Sequence, residues 1–373
     1  MGDNSEVFIG IDTSKLRHAV AVAEGGRGGE VRFLGEIEAT DAAVTKLVRQ
    51  LGAKHGKLFF CYEAGPTGYG LYRLIKELGR DCTVVAPSMT PRKPGDRVKT
   101  NRRDAVSLAR LLRAGELTSV WAPDERHEAM RDLVRARATA VMDLRCKRQQ
   151  LSAFMLRLGR HFTGKKTWGP AHMNWLMGQK LAHREQRLAF EEMMLAIREA
   201  QGRVERLEQA IGAAVPDWSL AEVVTALMAM RGIDLIAATT LLAEIGDLGR
   251  FSTPRELMAW LGLVPSEAST GDRVRRGSIT KAGNSRARRM LVECAQSYRY
   301  PARVGLAKQA RVAAAPRVAR EIAWKAQVRL TARYRTLIKK GRLRNVVVVA
   351  IARELAGFIW AIHRALVESR TAA

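Results

Sequence analysis

At 373 residues, with 47% of them hydrophobic, the chain is long enough for several domains and too apolar to be wholly disordered. Its 63 lysines and arginines against 37 acids leave a net charge of +26, which calls for a polyanionic partner, nucleic acid before any other. No apolar run of membrane-spanning length stands out, and the opening MGDNSEVFIG lacks the basic start and apolar centre of a secretion signal, so a cytoplasmic, nucleoid-associated protein without membrane contact is expected.

The first ninety residues alternate between strand and helix signals. VFIGIDTS, HAVAVAE and VRFLGEIEA read as three short strands separated by turns, EGGRGGE being the clearest turn. DAAVTKLVRQLGAKHG follows as a helix capped by Asp41, with Val44, Leu47, Val48 and Leu51 along one face. KLFFCYEAG is then a buried strand, TGYGLYRLIKELG a helix ended by Gly79, and CTVVAP a strand ended by Pro87. Three strands, helix, strand, helix, strand is the chain order of an RNase H-like α/β fold.

From Asp124 to Gly159 the pattern becomes one long helix, with Leu144, Leu151 and Leu158 at heptad spacing. A second helix over 184–213 carries a cleaner seam of Phe190, Met193, Ile197, Ala200, Val204, Leu207 and Ile211. The pair forms either a hairpin packed on itself or an intermolecular coiled coil, and the two are compatible. The stretch between them, GRHFTGKKTWGPAHMNWLMGQK, reads as loop. After Pro216, two short helices joined at Gly232-Ile233-Asp234 resemble a helix-hairpin-helix, although Asp234 replaces the second glycine of the usual turn. Residues 252–373 read as helical and strongly basic. Between Arg299 and Arg344 Glu321 is the only acid, whereas a solvated helix interleaves both signs, so nucleic-acid contact is expected there. The implied domains are 6–122, an α/β domain; 123–215, the helical hairpin; 216–310, a C-terminal domain; and 311–373, a basic helical tail.

Candidate chemistry collects in two places. Asp12 ends the first strand and Glu63 the fourth, and strand ends near a sheet centre are where α/β proteins put functional groups. In the RNase H order those strands are neighbours, which would bring both carboxylates within reach of one divalent ion. In VKTNRRDAV, Asn101 and Asp104 are three apart on a helix and share a face, beside Lys99, Arg102 and Arg103. Oxygen donors of this kind suit Mg²⁺ or Mn²⁺, and two ions about 3.5–4 Å apart could clamp both oxygens of a phosphoryl displacement. The four cysteines form no CxxC pair and the seven histidines are scattered, so neither a zinc ribbon nor a disulfide scaffold is indicated.

GIDTSK, YEAGPTGYGLYRLI, VKTNRRDAVSLARLLRAGEL, MRDLVRARATAV and AWLGLVPSEASTGDRVRRGSITKAGNSRARRMLVECA together resemble the DEDD transposases of bacterial insertion sequences, over roughly residues 6–310. The resemblance implies a RuvC-like metal domain, a helical insertion used in oligomer assembly (a dimer or tetramer), and a C-terminal domain carrying a serine nucleophile. It further implies DNA as substrate, a covalent protein–DNA link, and a structured non-coding guide RNA. Asp12 and Glu63 match the first two acids of the family pattern and Asp104 the fourth, while the third falls on Asn101, an amide that brings oxygen but no charge. The family's Ser-Gly falls on Thr270-Gly271, with Ser269 before it. Ser269 attacks, or Thr270 does, or strand transfer has been lost. Arg273, Arg275, Arg276, Lys281, Arg288 and Arg289, with Lys99, Arg102 and Arg103, are the candidate phosphate contacts. The competing readings are a Mg²⁺-dependent junction-resolving or nicking nuclease that uses water, and a catalytically decayed nucleic-acid-binding relative.

Overall fold

The computed structural model describes residues 6–91, 100–271 and 273–371. The chain divides into two compact units, Met1–Asp124 and Glu125–Ala373.

The first unit is built on a five-stranded sheet of order β3-β2-β1-β4-β5. Its strands are β1 (Glu6–Asp12), β2 (Arg17–Glu24) and β3 (Val31–Glu38), then, after helix α1 (Asp41–Gly52), β4 (Lys57–Glu63), and, after α2 (Gly70–Glu77), β5 (Asp81–Val85). Helix α3 (Asn101–Ala114) completes it. The first three strands form an antiparallel meander, while β4 and β5 join in parallel beside β1. This is the mixed, RNase H-like sheet that the element order predicts. Thr40, rather than Asp41, caps α1, its hydroxyl accepting from Ala43 N at 3.3 Å.

Strand alternation divides the unit into two layers. Val7, Ile9 and Ile11 of β1 and Leu58, Phe60 and Tyr62 of β4 face a core shared with Val44, Leu47, Val48 and Leu51 of α1 and Ile75 of α2. The opposite face carries small residues: Ala19, Ala21 and Ala23 of β2 pack on Ala105 and Ala109 of α3. Small residues let the helix lie close. A Cβ on Gly10 would fall 2.3 Å from the Ala105 carbonyl oxygen and 2.5 Å from the Ala109 nitrogen.

The second unit begins with α4 (Glu125–Arg157), α5 (Pro170–Met177) and α6 (Arg184–Ala214). A short helix thus occupies part of the stretch expected to be loop. Ile197, Ala200 and Val204 of α6 are buried against Leu144, Leu151 and Phe154 of α4, so the heptad seam is filled within the chain. The remaining helices are α7 (Ala221–Leu227), α8 (Leu235–Ile245), α9 (Pro254–Trp260), α10 (Ser285–Ala295), α11 (Leu306–Ala314), α12 (Arg317–Lys339) and α13 (Arg344–Thr371). Between α9 and α10, at the serine- and threonine-bearing loop expected within a mainly helical stretch, lies a two-stranded hairpin of β6 (Pro265–Glu267) and β7 (Arg276–Ile279). Gly271, at φ +55°, supplies the turn conformation that a helix could not pass.

Residues 311–373 do not stand apart from the helices before them. Ala319, Ala326 and Leu330 of α12 and Ile351, Leu355 and Ile359 of α13 share one core with Leu227, Leu242 and Leu291. Contrary to the expectation that no apolar run reaches membrane-spanning length, α13 is, among the described residues, the one helix long and apolar enough to cross a membrane. Its apolar side is spent on that core. At the α7–α8 turn, Asp234 caps α8 by accepting from Ala237 N at 2.8 Å. Its carboxylate thus holds the helix start that a phosphate would need in a helix-hairpin-helix.

Candidate active site

The acidic candidates of the first unit are placed by sheet register. β1 and β4 pair in parallel through Ile11 and Tyr62, so Asp12 and Glu63 are the next residues on adjacent strands. Both stand on the α3 face, because each lies two residues beyond one that meets α3: Gly10 packs under it, and Cys61 Sγ lies 3.6 Å from the Leu108 carbonyl. Burial pushes the Cys61 thiol far above its ordinary range, which makes it packing rather than chemistry.

The direction of α3 brings its first turn to the same end of the sheet. Near its C-terminal end, Arg113 donates to the Glu24 and Gly29 carbonyls at 2.9 Å each, and Glu24 pairs with Val7, far from Asp12 along β1. Ala105 and Ala109 lie over Gly10. Asp104, one residue before Ala105, is therefore at the Asp12 end. Thr100 caps this helix, its hydroxyl accepting from Arg103 N at 3.3 Å. Asn101, one turn earlier than Asp104, is exposed, and Arg102 lies 5.5 Å from the ring centroid of Phe33. Lys99 lies outside the described residues.

Glu63 has a neighbour that the sequence did not reveal: the Thr90 hydroxyl lies 3.1 Å from Glu63 Oε1 and also 3.1 Å from the Ala86 carbonyl. The loops after β1 and β4 meet as well, with Thr67 Oγ1 and Thr13 Oγ1 3.3 Å apart. Among the described residues no three His, Cys, Asp or Glu side chains converge into a metal cluster. The donor set nevertheless fits Mg²⁺, which keeps several waters and is held by one or two carboxylates together with substrate phosphates.

The second unit carries the other candidate residues, on the β6–β7 hairpin. Thr270 and Arg273 exchange backbone hydrogen bonds of 3.2 Å, and Ala268 N donates to Arg275 O at 2.9 Å. Glu267 pairs with Arg276. Alternation then puts Glu267 and Ser269 on one face and Thr270 on the other. Ser269 Oγ donates to Glu267 Oε1 at 2.9 Å and accepts from Arg275 N at 3.2 Å, while Arg276 Nε reaches Glu267 Oε2 at 3.3 Å. The hydrogen bonds from Ser269 and Arg276, with the charge of Arg276, hold the Glu267 carboxyl below the usual carboxylate range.

The loop into α10 is a structural joint. A Cβ on Gly283 would fall 1.8 Å from the Trp260 carbonyl oxygen, so only glycine permits this crossing. Arg288 Nη1 donates to the Leu261 and Ala282 carbonyls at 2.8 and 2.7 Å, binding the crossing together from within. That assignment differs from the phosphate contact expected of Arg288. Arg289 pairs with Glu293 at 2.8 Å, whereas Arg273, Arg275 and Lys281 are exposed.

Asn284 caps α10 and also donates through Nδ2 to Glu244 Oε2 at 2.8 Å. Glu244, its side chain 1% exposed, takes two further bonds of 2.9 Å from Arg135 of α4. Burial would raise this carboxyl, but the bonds from Arg135 and Asn284 hold it below the ordinary range. On the same side of α4, Arg131 Nε and His127 Nε2 reach the Ala243 carbonyl at 2.9 and 3.0 Å. Three residues spaced four apart on α4 thus grip the C-terminal end of α8, where cations suit the helix dipole.

One unit carries an RNase H-like sheet with carboxylates at two central strand ends, and the other presents hydroxyls on a hairpin, residue types suited to phosphodiester chemistry. Comparison with known proteins agrees. Residues 224–306 match the family described as "Transposase IS116/IS110/IS902 family", and residues 9–159 match a DEDD family described as "Transposase". The chain is 58% identical over 364 residues to "Putative transposase y4qE" of Sinorhizobium fredii, covering 98% of this chain and 90% of that protein. It is 29% identical over 339 residues to "Transposase for insertion sequence element IS1533" of Leptospira borgpetersenii, covering 90% and 97%. The chain belongs to the IS110/IS116 family of DEDD transposases. It is accordingly a transposase, an enzyme whose partner is DNA.

Proposed function

We propose that the chain excises and inserts its own insertion element by a covalent protein–DNA route. Asp12, Glu63 and Asp104, with the amide oxygen of Asn101, would hold Mg²⁺ or Mn²⁺, and Ser269 supplies the attacking hydroxyl. Bound there, the metal would supply charge neutralisation at the phosphate. The chain's own residues orient the strand and carry the proton. The observation that carries the choice of Ser269 is strand alternation: its hydroxyl shares the Glu267 face and accepts from Arg275 N, whereas Thr270 serves the turn through its backbone. A primary hydroxyl is also the less crowded nucleophile.

Arg273, Arg275 and Lys281, exposed beside the hairpin, contact the phosphates. The outer face of α12 extends the basic surface through Arg320, Lys325, Arg335 and Lys339, with Trp324 48% exposed among them. Such a face suits the backbone and bases of a structured non-coding RNA that guides the enzyme to donor and target. Oligomer assembly uses the outward apolar residues of the helical hairpin, Met142, Leu156, Leu188 and Leu195, since the seam through Ile197 is filled within the chain.

The test is to trap and map the covalent link. Full-length protein, purified with RNA transcribed from the element, is incubated with duplex DNA spanning the element's end, then digested and sequenced by mass spectrometry. A phosphodiester-linked nucleotide on Ser269 is expected. Linkage on Thr270 overturns the assignment, and free-ended cuts with no adduct favour the water-using nuclease. Ribonuclease treatment before DNA addition should abolish adduct formation; full activity without RNA would remove the guide from the scheme.

A further inference from the structure

Ser269 is one of three groups locked together on one hairpin face. Its proton points to Glu267 Oε1 at 2.9 Å, and one of its lone pairs accepts from Arg275 N at 3.2 Å. A hydroxyl carries one donor and two acceptor sites, so the remaining lone pair is the one left to approach a phosphorus atom. Glu267 is fixed in turn from its other oxygen by Arg276 Nε at 3.3 Å. Nucleophile, acceptor and orienting cation thus form the chain of contacts that activated hydroxyls use elsewhere, with a carboxylate in the place of the base.

We infer that Glu267 positions the Ser269 hydroxyl and receives its proton during strand cleavage. The inference rests on Ser269 being the attacking residue. As the Ser269 Oγ–P bond forms, the bond from phosphorus to one deoxyribose oxygen breaks. The Ser269 proton passes to Glu267 Oε1 and from there to the departing sugar oxygen. A phosphodiester is exchanged for a phosphodiester, no redox partner enters, and the reverse path rejoins the strand. Arg275 N–H, already on Oγ, stabilises the oxygen as it loses its proton. Arg276 keeps the carboxylate ionised and therefore able to accept. Thr270, one residue on, faces away from this acceptor, which explains why a neighbouring hydroxyl is not equivalent.

The experiment compares E267Q, E267D, S269A and the native protein for the rate of covalent adduct formation on the same duplex DNA, with DNA retention measured in parallel. General base catalysis of this kind contributes roughly 10²–10⁴-fold, so E267Q should slow the adduct by that factor while retaining DNA, and E267D should recover part of it. A second readout needs no DNA: in an S269C protein that also carries C146S, removing an exposed competing thiol, iodoacetamide alkylation reports the pKa of the thiol at 269. An adjacent carboxylate disfavours the thiolate, so adding E267Q should lower that pKa and speed alkylation at neutral pH. Native adduct rates in E267Q, with none in S269A, would overturn the role of Glu267 and leave Ser269 standing. An adduct retained in S269A would remove the premise itself. Alkylation indifferent to E267Q would show that the two side chains do not act on one another.

Discussion

Asp12 and Glu63 end two strands whose other residues are mostly buried, whereas Ser269 and Glu267 stand on a hairpin whose residues are exposed from Ser266 to Ser278 wherever described. The first pair is placed by a sheet and a helix packed so closely that Gly10 cannot carry a side chain. The second is placed by alternation along a few residues and by three hydrogen bonds among exposed groups, Ser269 to Glu267, Arg275 N to Ser269 and Arg276 to Glu267. A rigid scaffold suits groups that must share a cation at fixed separations, and a short arm suits a group that must enter the DNA backbone and leave again. Substitutions in the α/β unit should therefore cost stability together with activity. Substitutions on the hairpin should cost activity alone.

The largest effect expected is on cleavage. Asp12→Asn or Glu63→Gln removes a proposed metal ligand, and should lower adduct formation by more than the roughly 10–100-fold that loss of an outer partner costs. Thr90→Ala, which takes away the hydroxyl beside Glu63, should fall inside that 10–100-fold range. Adduct rates across a Mg²⁺ titration check both, and equal effects at Thr90 and Glu63 would break the ranking.

Glu244→Ala tests the joint behind the hairpin rather than the hairpin itself. It removes the two bonds that buried Glu244 accepts from Arg135, whose side chain is 42% exposed, and should destabilise the second unit by about 1–3 kcal/mol in urea melts. The pH dependence has a definite sign. Because the folded carboxyl is held below its ordinary range, its stabilisation is complete above the unfolded carboxylate pKa and is lost as pH falls through the lowered folded value. Glu244→Gln should flatten that acid limb, and an unchanged limb would assign acid sensitivity to other groups. By contrast, Glu267→Gln on the exposed hairpin should leave the urea midpoint unchanged.

Gly10→Ala is the sharpest test of scaffold rigidity. The added carbon has nowhere to go without moving α3, so a cost of about 1–3 kcal/mol is expected, together with slower cleavage as Asp104 shifts. Native activity in a destabilised Gly10→Ala protein would separate α3 from the metal site.

How far the sequence reached divides along the same line. The strand order was legible because each strand of the first unit is a short apolar run with turn residues at both ends, and Asp12 and Glu63 stand where such runs stop. The hairpin was not legible: β6 and β7 are three and four residues long, exposed, and embedded among helical signals. Without the hairpin there was no alternation to rank Ser269 against Thr270, and Glu267 had no reason to be noticed. An i, i+2 acid–hydroxyl spacing beside the Thr-Gly turn was the one available hint. Arg288 misled for a related reason. Charge predicts a surface partner, and only the crossing at Gly283 shows that its nearest acceptors are backbone carbonyls. The basic composition of 311–373 likewise hid a core role, because the cations line the outside of α12 while alanines and leucines face inward.

Asn101→Asp carries the smallest effect and separates two explanations of one residue. Asn101 is exposed at the first position of α3, where an added carboxylate meets the positive end of the helix dipole. That alone should raise stability by about 0.3–1 kcal/mol, an increment that shrinks with salt. As a metal donor the carboxylate does more: it adds charge where the amide gives only an oxygen, so half-maximal cleavage should need less Mg²⁺. A gain in stability together with a lower Mg²⁺ requirement places position 101 in the metal site. The same gain with an unchanged requirement confines it to the start of the helix, and leaves Asp12, Glu63 and Asp104 to hold the ion with the DNA.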